Sequence, residues 1–297
     1  MFARAVALGA CLLAAGCAPQ RPAAASAEVP GSELATACAG RDGWSDPAPP
    51  ARIIANTYFV GTCGITAVLI ASPQGHVVID GGPADAAPLV AANIRRLGYR
   101  VEDVRFLLNS HEHVDHAGGL GALQQMSRAV MVARAPARVV LESGQVDSAD
   151  PQAGAIGGFP SVKVGRIVAD GDVVRLGTLA ITAHATPGHT DGGTSWTWRA
   201  CEGGTCRTIA FVDSLTPVSA EGYRFTDHPE RVAPFRSTFD KVARLDCDVL
   251  ITPHPSASNL FARIAGLAAF VDRGACAAYA GGAARRLDER LAREAAR

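Results

Sequence analysis

Four potential metal ligands lie within six residues of the sequence: His111, His113, Asp115 and His116. Imidazole nitrogens and carboxylate oxygens are suitable ligands for Zn²⁺. A single turn can direct His111 and His113 at one ion while Asp115 and His116 point at its neighbour. The motif differs from the H-E-x-x-H helix of zincin proteases, because position 115 is Asp and the Gly-Gly pair at 118–119 would interrupt a helix.

Two later histidines sit where they can complete this ligand set. His189 lies in the turn T-P-G-H-T at 186–190, and His254 directly follows a predicted strand at 248–252. A lone histidine at either place would ordinarily be structural, but the flanking Pro and Gly residues put each at a strand end beside the cluster. We therefore predict both as metal ligands. The other three histidines are predicted to lie outside the site: His76 exposed in a hairpin, His184 structural, and His228 at a helix start.

Short β-rich runs and amphipathic periods predict the elements that position these residues. Strands are predicted at 52–60, 65–70, 76–79, 104–108, 129–133, 166–168, 173–176, 179–183, 194–199, 208–212 and 248–252. Helices are predicted at 84–97, 135–143, 229–245 and at the C-terminus. The Gly-rich segment 144–165 is a loop long enough to be functional. Grouped strands with helices outside favour an α/β fold, a four-layer αββα sandwich of two similar halves with the metal site at one edge.

Charge composition argues against a polyanionic partner. The 297 residues include 28 basic and 28 acidic side chains, so the formal net charge is zero. Without a basic field, nucleic acid is not an expected ligand. The hydrophobic fraction of 48% supports a large packed core, and we expect a monomer.

The N-terminal segment indicates export. Residues 5–16 are apolar but too few to span a bilayer, so residues 1–27 read as a signal peptide and tether. Cleavage is expected either before Cys17, in a sequence that resembles a bacterial lipoprotein box, or after Ala27. The protein is then periplasmic or an outer-membrane lipoprotein, with a lipid anchor as its one membrane contact. An N-terminal arm at 28–50 would precede a single domain at 51–297.

The cysteine count fits an oxidising compartment. Of the eight cysteines, Cys11 and Cys17 fall in or beside the signal peptide, which leaves six. An even number favours disulfides over thiolate metal ligands, although 15 connectivities are open. Free buried cysteines are the alternative. The simplest pairing is sequential: Cys38 with Cys63, Cys201 with Cys206, and Cys247 with Cys276.

The H-x-H-x-D-H run, the T-P-G-H-T turn and a final His after a strand resemble the metallo-β-lactamase superfamily, from about residue 53 to the C-terminal helices. Three features are similar to subclass B3: the H-T-D-G-G-T-S-W run from His189, the D-S-L-T run at 213–216, and T-P-H-P around His254. The resemblance implies that His111, His113 and His189 hold one zinc, and that Asp115, His116 and His254 hold the other. It places Ser214 where the B1 enzymes have Cys.

The resemblance also implies further roles. Asp80 would be a supporting acidic residue, and Ser214 and Thr216 would help to hold a substrate carboxylate. Two Zn²⁺ ions, which lower the pKa of water to about 7, would serve the hydrolysis of β-lactam antibiotics, with Asp115 orienting the attacking hydroxide. The chain has no S-x-x-K or G-x-S-x-G motif for serine-based hydrolysis.

Three rival functions remain open. One is an acyl-homoserine lactonase and another is a thioesterase like glyoxalase II. Both use an Asp that bridges the metals, for which Asp213 is a candidate. The third is a non-catalytic exported metal-binding protein, although structural zinc sites are closed and usually rich in Cys.

Overall fold

Twelve β-strands and eight α-helices lie within residues 29–296, the part of the chain that the computed structural model describes. The strands are β1 Ala51–Ile54, β2 Thr57–Phe59, β3 Val68–Ser72, β4 Gly75–Ile79, β5 Val104–Leu108, β6 Val130–Arg134, β7 Val164–Val168, β8 Val173–Leu176, β9 Leu179–Ala185, β10 Thr194–Glu202, β11 Thr205–Phe211 and β12 Val249–Ile251. The helices are α1 Gly31–Ala37, α2 Ala87–Arg96, α3 Val114–Ala117, α4 Leu120–Ser127, α5 Arg138–Ser143, α6 Pro229–Ala243, α7 Leu260–Ile264 and α8 Ala275–Ala295. The expected signal peptide and both cleavage points lie outside these residues.

The strands form two sheets. One sheet has seven strands in the order β1 to β7, and the other has five in the order β12–β11–β10–β9–β8. Strands β1 to β4 are antiparallel, whereas β4 to β7 run parallel, and β12 is parallel to β11. Parallel neighbours need crossover connections, which is why helices α2, α4, α5 and α6 lie between them in the chain.

Side chains of successive strand residues point to opposite faces and so define the layers. In β11, Ile209 and Phe211 pack between the two sheets, whereas Ala210 packs against α6 and α8. In β4, Val77 likewise faces the other sheet, while Val78 faces the layer of α2, α4 and α5. The molecule is therefore helix, sheet, sheet, helix, which confirms the four-layer sandwich expected from the sequence.

Two local predictions differ from the structure. The strand predicted at 52–60 is in fact the hairpin β1–β2, turned at Ala55, which has a φ of 47°. Alanine seldom adopts this left-handed conformation, so its residue type did not signal a turn. His76, expected to be exposed, is buried, and its ring packs 4.9 Å from that of Tyr99.

The N-terminal arm is part of the folded body. Helix α1 places the fully buried Leu34 in the core between the sheets and packs against α7. This helix is not among those predicted from the sequence. Among the described residues, no helix has the length and apolar character needed to cross a membrane.

The six cysteines form disulfide bonds in sequential order. Cys38 is bonded to Cys63, Cys201 to Cys206, and Cys247 to Cys276. Cys201 and Cys206 are paired residues near the turn of the β10–β11 hairpin. The other two bonds tie α1 to the segment after β2, and the segment before β12 to α8.

The bonds should differ in their contribution to stability. The separation is 29 residues for Cys247–Cys276 but 5 for Cys201–Cys206, and loop-closure entropy grows with loop length. Replacing Cys247 and Cys276 together with serine should lower the free energy of unfolding by about 3.6 kcal/mol, against about 2 kcal/mol for the hairpin pair. Urea denaturation of both double variants checks this. An equal or larger loss in the hairpin variant would contradict it.

Candidate metal centre

The predicted ligands follow strands of both sheets, and two of them, Asp115 and His116, lie in the short helix α3. His111, His113, Asp115 and His116 follow β5, His189 lies between β9 and β10, and His254 follows β12. Each of these segments directly follows its strand and therefore leaves the carboxyl end of that strand. The first half of the chain thus supplies four of the predicted ligands, and the second half supplies two.

Four ligands lie in the turn at 109–113 and the helix α3 that follows it, and Asp80 holds this turn from its own half of the chain. The Asp80 carboxylate accepts hydrogen bonds from the backbone N–H and the hydroxyl of Ser110, at 2.6 and 2.7 Å. Its Oδ2 also lies 3.5 Å from Nδ1 of His116. Asp80 has a φ of 62° at the end of β4, which directs the chain into this corner. The structure therefore places Asp80 beside the cluster, where the resemblance put a supporting acidic residue.

The same turn is also held by the second half. The backbone N–H of Thr194 donates to the carbonyl of Ser110 at 2.7 Å, and the indole N–H of Trp196 donates to the carbonyl of Asn109 at 2.9 Å. Both donors belong to β10. The turn is thus hydrogen-bonded to both sheets.

Three of the predicted ligands, His111, His113 and His189, form one group. One possible ligand atom from each lies within 4.8 Å of the others. Each imidazole is oriented by a hydrogen bond at one ring nitrogen. The acceptors are Asp213 Oδ1, 2.8 Å from His111 Nδ1; Asp150 Oδ2, 2.9 Å from His113 Nε2; and the Thr216 carbonyl, 2.8 Å from His189 Nδ1.

These hydrogen bonds select which nitrogen can bind a metal. A carbonyl oxygen can only accept, so His189 carries its proton on Nδ1 and its Nε2 is left as the ligand atom. The carboxylates of Asp213 and Asp150 act in the same way on His111 and His113. The preferred ligand atoms are therefore Nε2 of His111, Nδ1 of His113 and Nε2 of His189.

A second group lies beside the first. Asp115 and His116 each offer an atom within 4.8 Å of His111. The Nε2 atom of His254 lies 3.4 Å from Asp115 Oδ2, and its Nδ1 donates to the carbonyl of Gly64 at 3.2 Å. The structure thus brings all six predicted ligands together: His111, Asp115 and His116 form the second group of ligand atoms, and His254 lies next to it through Asp115.

The donor set suits a cation. His111 is buried, and its Nε2 has no hydrogen-bond partner. An unsatisfied buried nitrogen costs about 1–3 kcal/mol, which a metal ion at this position would remove. Imidazole and carboxylate groups with no thiolate are ligands that Zn²⁺ accepts.

The protonation states of His189, His254 and Asp115 also fit metal binding. Burial lowers the pKa of His189 to about 3 and that of His254 to about 4, so both imidazoles are neutral at pH 7. Burial raises the pKa of Asp115, but His116 outweighs it and holds the carboxyl ionised. Burial lowers the pKa of His116, but the Asp115 carboxylate outweighs it and raises it to about 10. A metal ion that binds His116 must displace that proton.

Glu112 is a buried carboxylate inside the histidine motif. It accepts hydrogen bonds from the hydroxyl of Thr190 at 3.0 Å and the backbone N–H of Gly192 at 2.9 Å. A Cβ at Gly192 would lie 2.4 Å from Glu112 Oε2, so only glycine allows this approach. Glu112 therefore ties the turn of His111 and His113 to the turn of His189.

Asp150, Gln152 and Asp213 are the other partners that the sequence analysis did not place around the histidines. Asp150 and Gln152 lie in the Gly-rich loop, and Gln152 Nε2 is 3.4 Å from His113 Nδ1. The signal available was the length of that loop, which predicted a functional segment. Asp213 was considered only as a candidate bridging ligand. In the structure its carboxylate instead accepts a hydrogen bond from Nδ1 of His111.

Replacing Asp150 with asparagine tests this support for His113. The variant removes the negative charge that orients the imidazole, and loss of such a partner typically costs 10–100-fold in metal affinity or activity. A competition titration with a chromophoric chelator measures the zinc affinity. The matched control is Asp147→Asn, an exposed residue of the same loop whose carboxylate accepts the N–H of Ala149 and contacts no histidine. Equal affinities in the two variants would contradict the role of Asp150.

The remaining residues of interest lie around this centre. Ser214 is buried next to Asp213, and Thr216 is half-buried with its carbonyl on His189. His228 stacks on Tyr223 outside the cluster, with ring centroids 4.6 Å apart. His184 is also outside, hydrogen-bonded to the Thr197 hydroxyl at 2.8 Å.

Comparison with known proteins adds to this geometry. The family model described as the metallo-β-lactamase superfamily matches residues 60–202. The crystal structure of the metallo-β-lactamase MIM-1 from Novosphingobium pentaromativorans is 55% identical, with a TM-score of 0.87, over 89% of this chain and 98% of that chain. MEM-A1, a subclass B3 metallo-β-lactamase from a soil metagenome library, is 48% identical, with a TM-score of 0.82, over 86% of this chain and 99% of its own.

Curated relatives are more distant. A hydroxyacylglutathione hydrolase of Rhodopseudomonas palustris (strain BisA53) is 31% identical over 122 residues, which cover 41% of this chain and 38% of that enzyme. The chain spans only 38–58% of the length of the curated relatives that it matches.

Proposed function

The chain belongs to the metallo-β-lactamase superfamily, and from that premise we propose that it is a dizinc β-lactamase of the subclass B3 type. It would open the amide bond of penicillins, cephalosporins and carbapenems and so confer antibiotic resistance. The observation that carries this proposal is the three-histidine group beside Asp115 and His116, with His254 Nε2 3.4 Å from Asp115 and no cysteine among the six residues. The 55% identity to MIM-1 over nearly all of that chain supports it.

We assign the ligands to the two ions as the resemblance implies, and His111, which lies near Asp115 and His116 as well, is assigned to the first. His111, His113 and His189 would hold one Zn²⁺, and Asp115, His116 and His254 the other. Two ions bound there would supply hydroxide at neutral pH, polarise the lactam carbonyl and stabilise the departing nitrogen.

The chain's own residues would direct the reaction. Asp115 has a second carboxylate oxygen that can accept a hydrogen bond from the attacking water and fix its direction. The hydroxyls of Ser214 and Thr216 would donate to the substrate carboxylate. Attack on the carbonyl carbon breaks the ring C–N bond, and the nitrogen takes a proton from water. No covalent bond to a side chain is required.

The three disulfide bonds support an exported protein, because such bonds persist in oxidising compartments. We place the enzyme in the periplasm, delivered by a signal peptide or retained by a lipid on Cys17. The expected substrate is a small molecule. We expect the enzyme to be a monomer.

A thioesterase of the hydroxyacylglutathione hydrolase kind is the second candidate, because curated relatives carry that name. The homoserine lactonase is the third. Both would need an aspartate that bridges the two metals. Asp213, the candidate for that role, accepts a hydrogen bond from Nδ1 of His111 and belongs to neither ligand group. Its position favours the β-lactamase.

Hydrolysis assays with the purified mature chain decide among these functions. A chromogenic cephalosporin and a carbapenem should be turned over, a zinc chelator should abolish turnover, and added Zn²⁺ should restore it. An acyl-homoserine lactone and a glutathione thioester serve as the competing substrates. Zinc-dependent turnover of either one without β-lactam opening would overturn the proposal, as would zinc binding with no turnover at all.

A further inference from the structure

Arg290, on the C-terminal helix α8, contacts a loop that flanks the metal centre. Its guanidinium Nη1 donates to the carbonyl of Pro217 at 2.7 Å. Its Nη2 donates to the hydroxyl of Ser219 at 2.7 Å and to the carbonyl of Tyr223 at 3.1 Å. One side chain thus reaches three points of one loop. Residues 212–224 form neither helix nor strand, so their position depends on contacts of this kind.

The guanidinium group is itself held in place. Its Nε donates to Glu294 Oε1 at 2.7 Å, and its Cζ lies 4.8 Å from the centre of the Phe225 ring. The other oxygen of Glu294 accepts the backbone N–H of Thr226 at 2.9 Å. A planar guanidinium fixed by an ion pair and an aromatic ring presents its remaining N–H groups in fixed directions. Arg290 is therefore a rigid fork and not a mobile surface cation, and its side chain is only 23% exposed.

The loop that Arg290 holds reaches the metal centre directly. Thr216, next to Pro217, accepts the hydrogen bond that orients His189. At its other end, Ala220 donates its N–H to the carbonyl of Pro151 at 2.8 Å. Pro151 lies in the Gly-rich loop beside Asp150, so this hydrogen bond joins the loop held by Arg290 to the Gly-rich loop.

We propose that Arg290 is a positioning residue that sets the place of the loop 214–223 and thereby the affinity for a substrate carboxylate. The inference rests on the proposed function, in which Ser214 and Thr216 bind that carboxylate. Arg290 itself does not touch the substrate. Its effect passes through the carbonyl of Pro217, one peptide unit from Thr216.

The test compares Arg290→Ala and Arg290→Lys with Arg236→Ala. Arg236 forms an ion pair with Asp288 at 2.8 Å, so this control also removes an arginine contact to α8, but one without a bond to the loop. The readouts are KM and kcat for a carbapenem, bound zinc, and hydrogen–deuterium exchange of the loop. Exchange does not depend on catalysis.

Arg290→Ala should raise KM by about tenfold with a much smaller change in kcat, because the site is displaced and not dismantled. Amide exchange should increase in residues 216–224, and both zinc equivalents should remain. Lysine has one cationic nitrogen and can replace only part of the fork, so Arg290→Lys should give an intermediate KM. Arg236→Ala should leave KM and loop exchange at the wild-type values, even if it lowers the Tm.

Other results would overturn the inference. A fall in kcat at unchanged KM would mean that Arg290 acts only on overall stability. Loop exchange equal to that of the Arg236→Ala control would show that Arg290 does not hold the loop in place. A third outcome separates the two proposals: faster loop exchange in Arg290→Ala, with a wild-type enzyme that opens no β-lactam. Arg290 would then hold the loop, but its role in β-lactam affinity and the proposed function would both be rejected.

Discussion

Replacing His189 with alanine should abolish most hydrolysis and remove one of two zinc equivalents. The substitution deletes one of the three imidazoles in the first ligand group and frees the Thr216 carbonyl from its partner. Metal polarisation of a carbonyl contributes several kcal/mol, and each 1.36 kcal/mol corresponds to about tenfold in rate. We therefore expect kcat/KM to fall by roughly a thousandfold. Steady-state kinetics and elemental analysis of the dialysed protein measure the two effects.

His228→Ala is the matched control. It removes the same side chain from the same half of the molecule, at a residue that stacks on Tyr223 and is 42% exposed. Activity and zinc content should stay at the wild-type level. If His189→Ala retains both zinc equivalents and wild-type kinetics, His189 is not a ligand and the first group is wrongly assigned.

Asp115→Asn should remove the other zinc equivalent. Asparagine keeps the size of the side chain but not the charge, and Asp115 Oδ2 lies 3.0 Å from His116 Nε2 and 3.4 Å from His254 Nε2. Because changes to partners outside the ligand set already cost 10–100-fold, we expect loss of a carboxylate ligand to lower kcat by more than about 100-fold. The zinc at His111, His113 and His189 should remain.

The control for this charge change is Asp240→Asn, at an exposed position of α6. It should leave kcat and zinc content unaltered. Retention of two tightly bound ions by Asp115→Asn would show that the second group does not hold a metal through this carboxylate. The double variant with His189→Ala should bind no zinc, since each substitution removes a different ion.

The candidate ligands could be predicted because their signal is local. His111, His113, Asp115 and His116 are adjacent in the chain, and a short segment already restricts them to one region of space. His189 and His254 required only that strand ends meet at one edge of the fold. These are consequences of residue type and element order.

The groups that orient the ligands could not be found in this way. Asp150 is 37 residues from His113, and Asp213 is 102 residues from His111. Nothing in the spacing of a carboxylate identifies the imidazole that it will contact, because that pairing depends on how the loops pack. Glu112 lay inside the motif, yet its role depends on the approach of Gly192 from the other half.

The fold likewise divides into features with a local sequence signal, which could be predicted, and features that depend on tertiary contacts, which could not. Strand β5 was predicted with its observed bounds, and the four layers followed from the grouping of strands. The turn at Ala55 and helix α1 were not foreseen, since tertiary contacts stabilise them against local preference: the side chain of Asn56 donates to the carbonyl of Ala71 at 2.6 Å, and Leu34 is buried between the sheets.

The hydrogen bonds from Thr194 and Trp196 to the first ligand turn have a consequence for the order of maturation. A chain whose second sheet has not yet docked lacks two of the six ligands and also the donors that hold Ser110 and Asn109 in place. Such an intermediate offers an incoming ion only an incomplete and poorly oriented set. Complete metal loading therefore has to follow the docking of the two halves, so a chain carrying both ions is one that has finished folding.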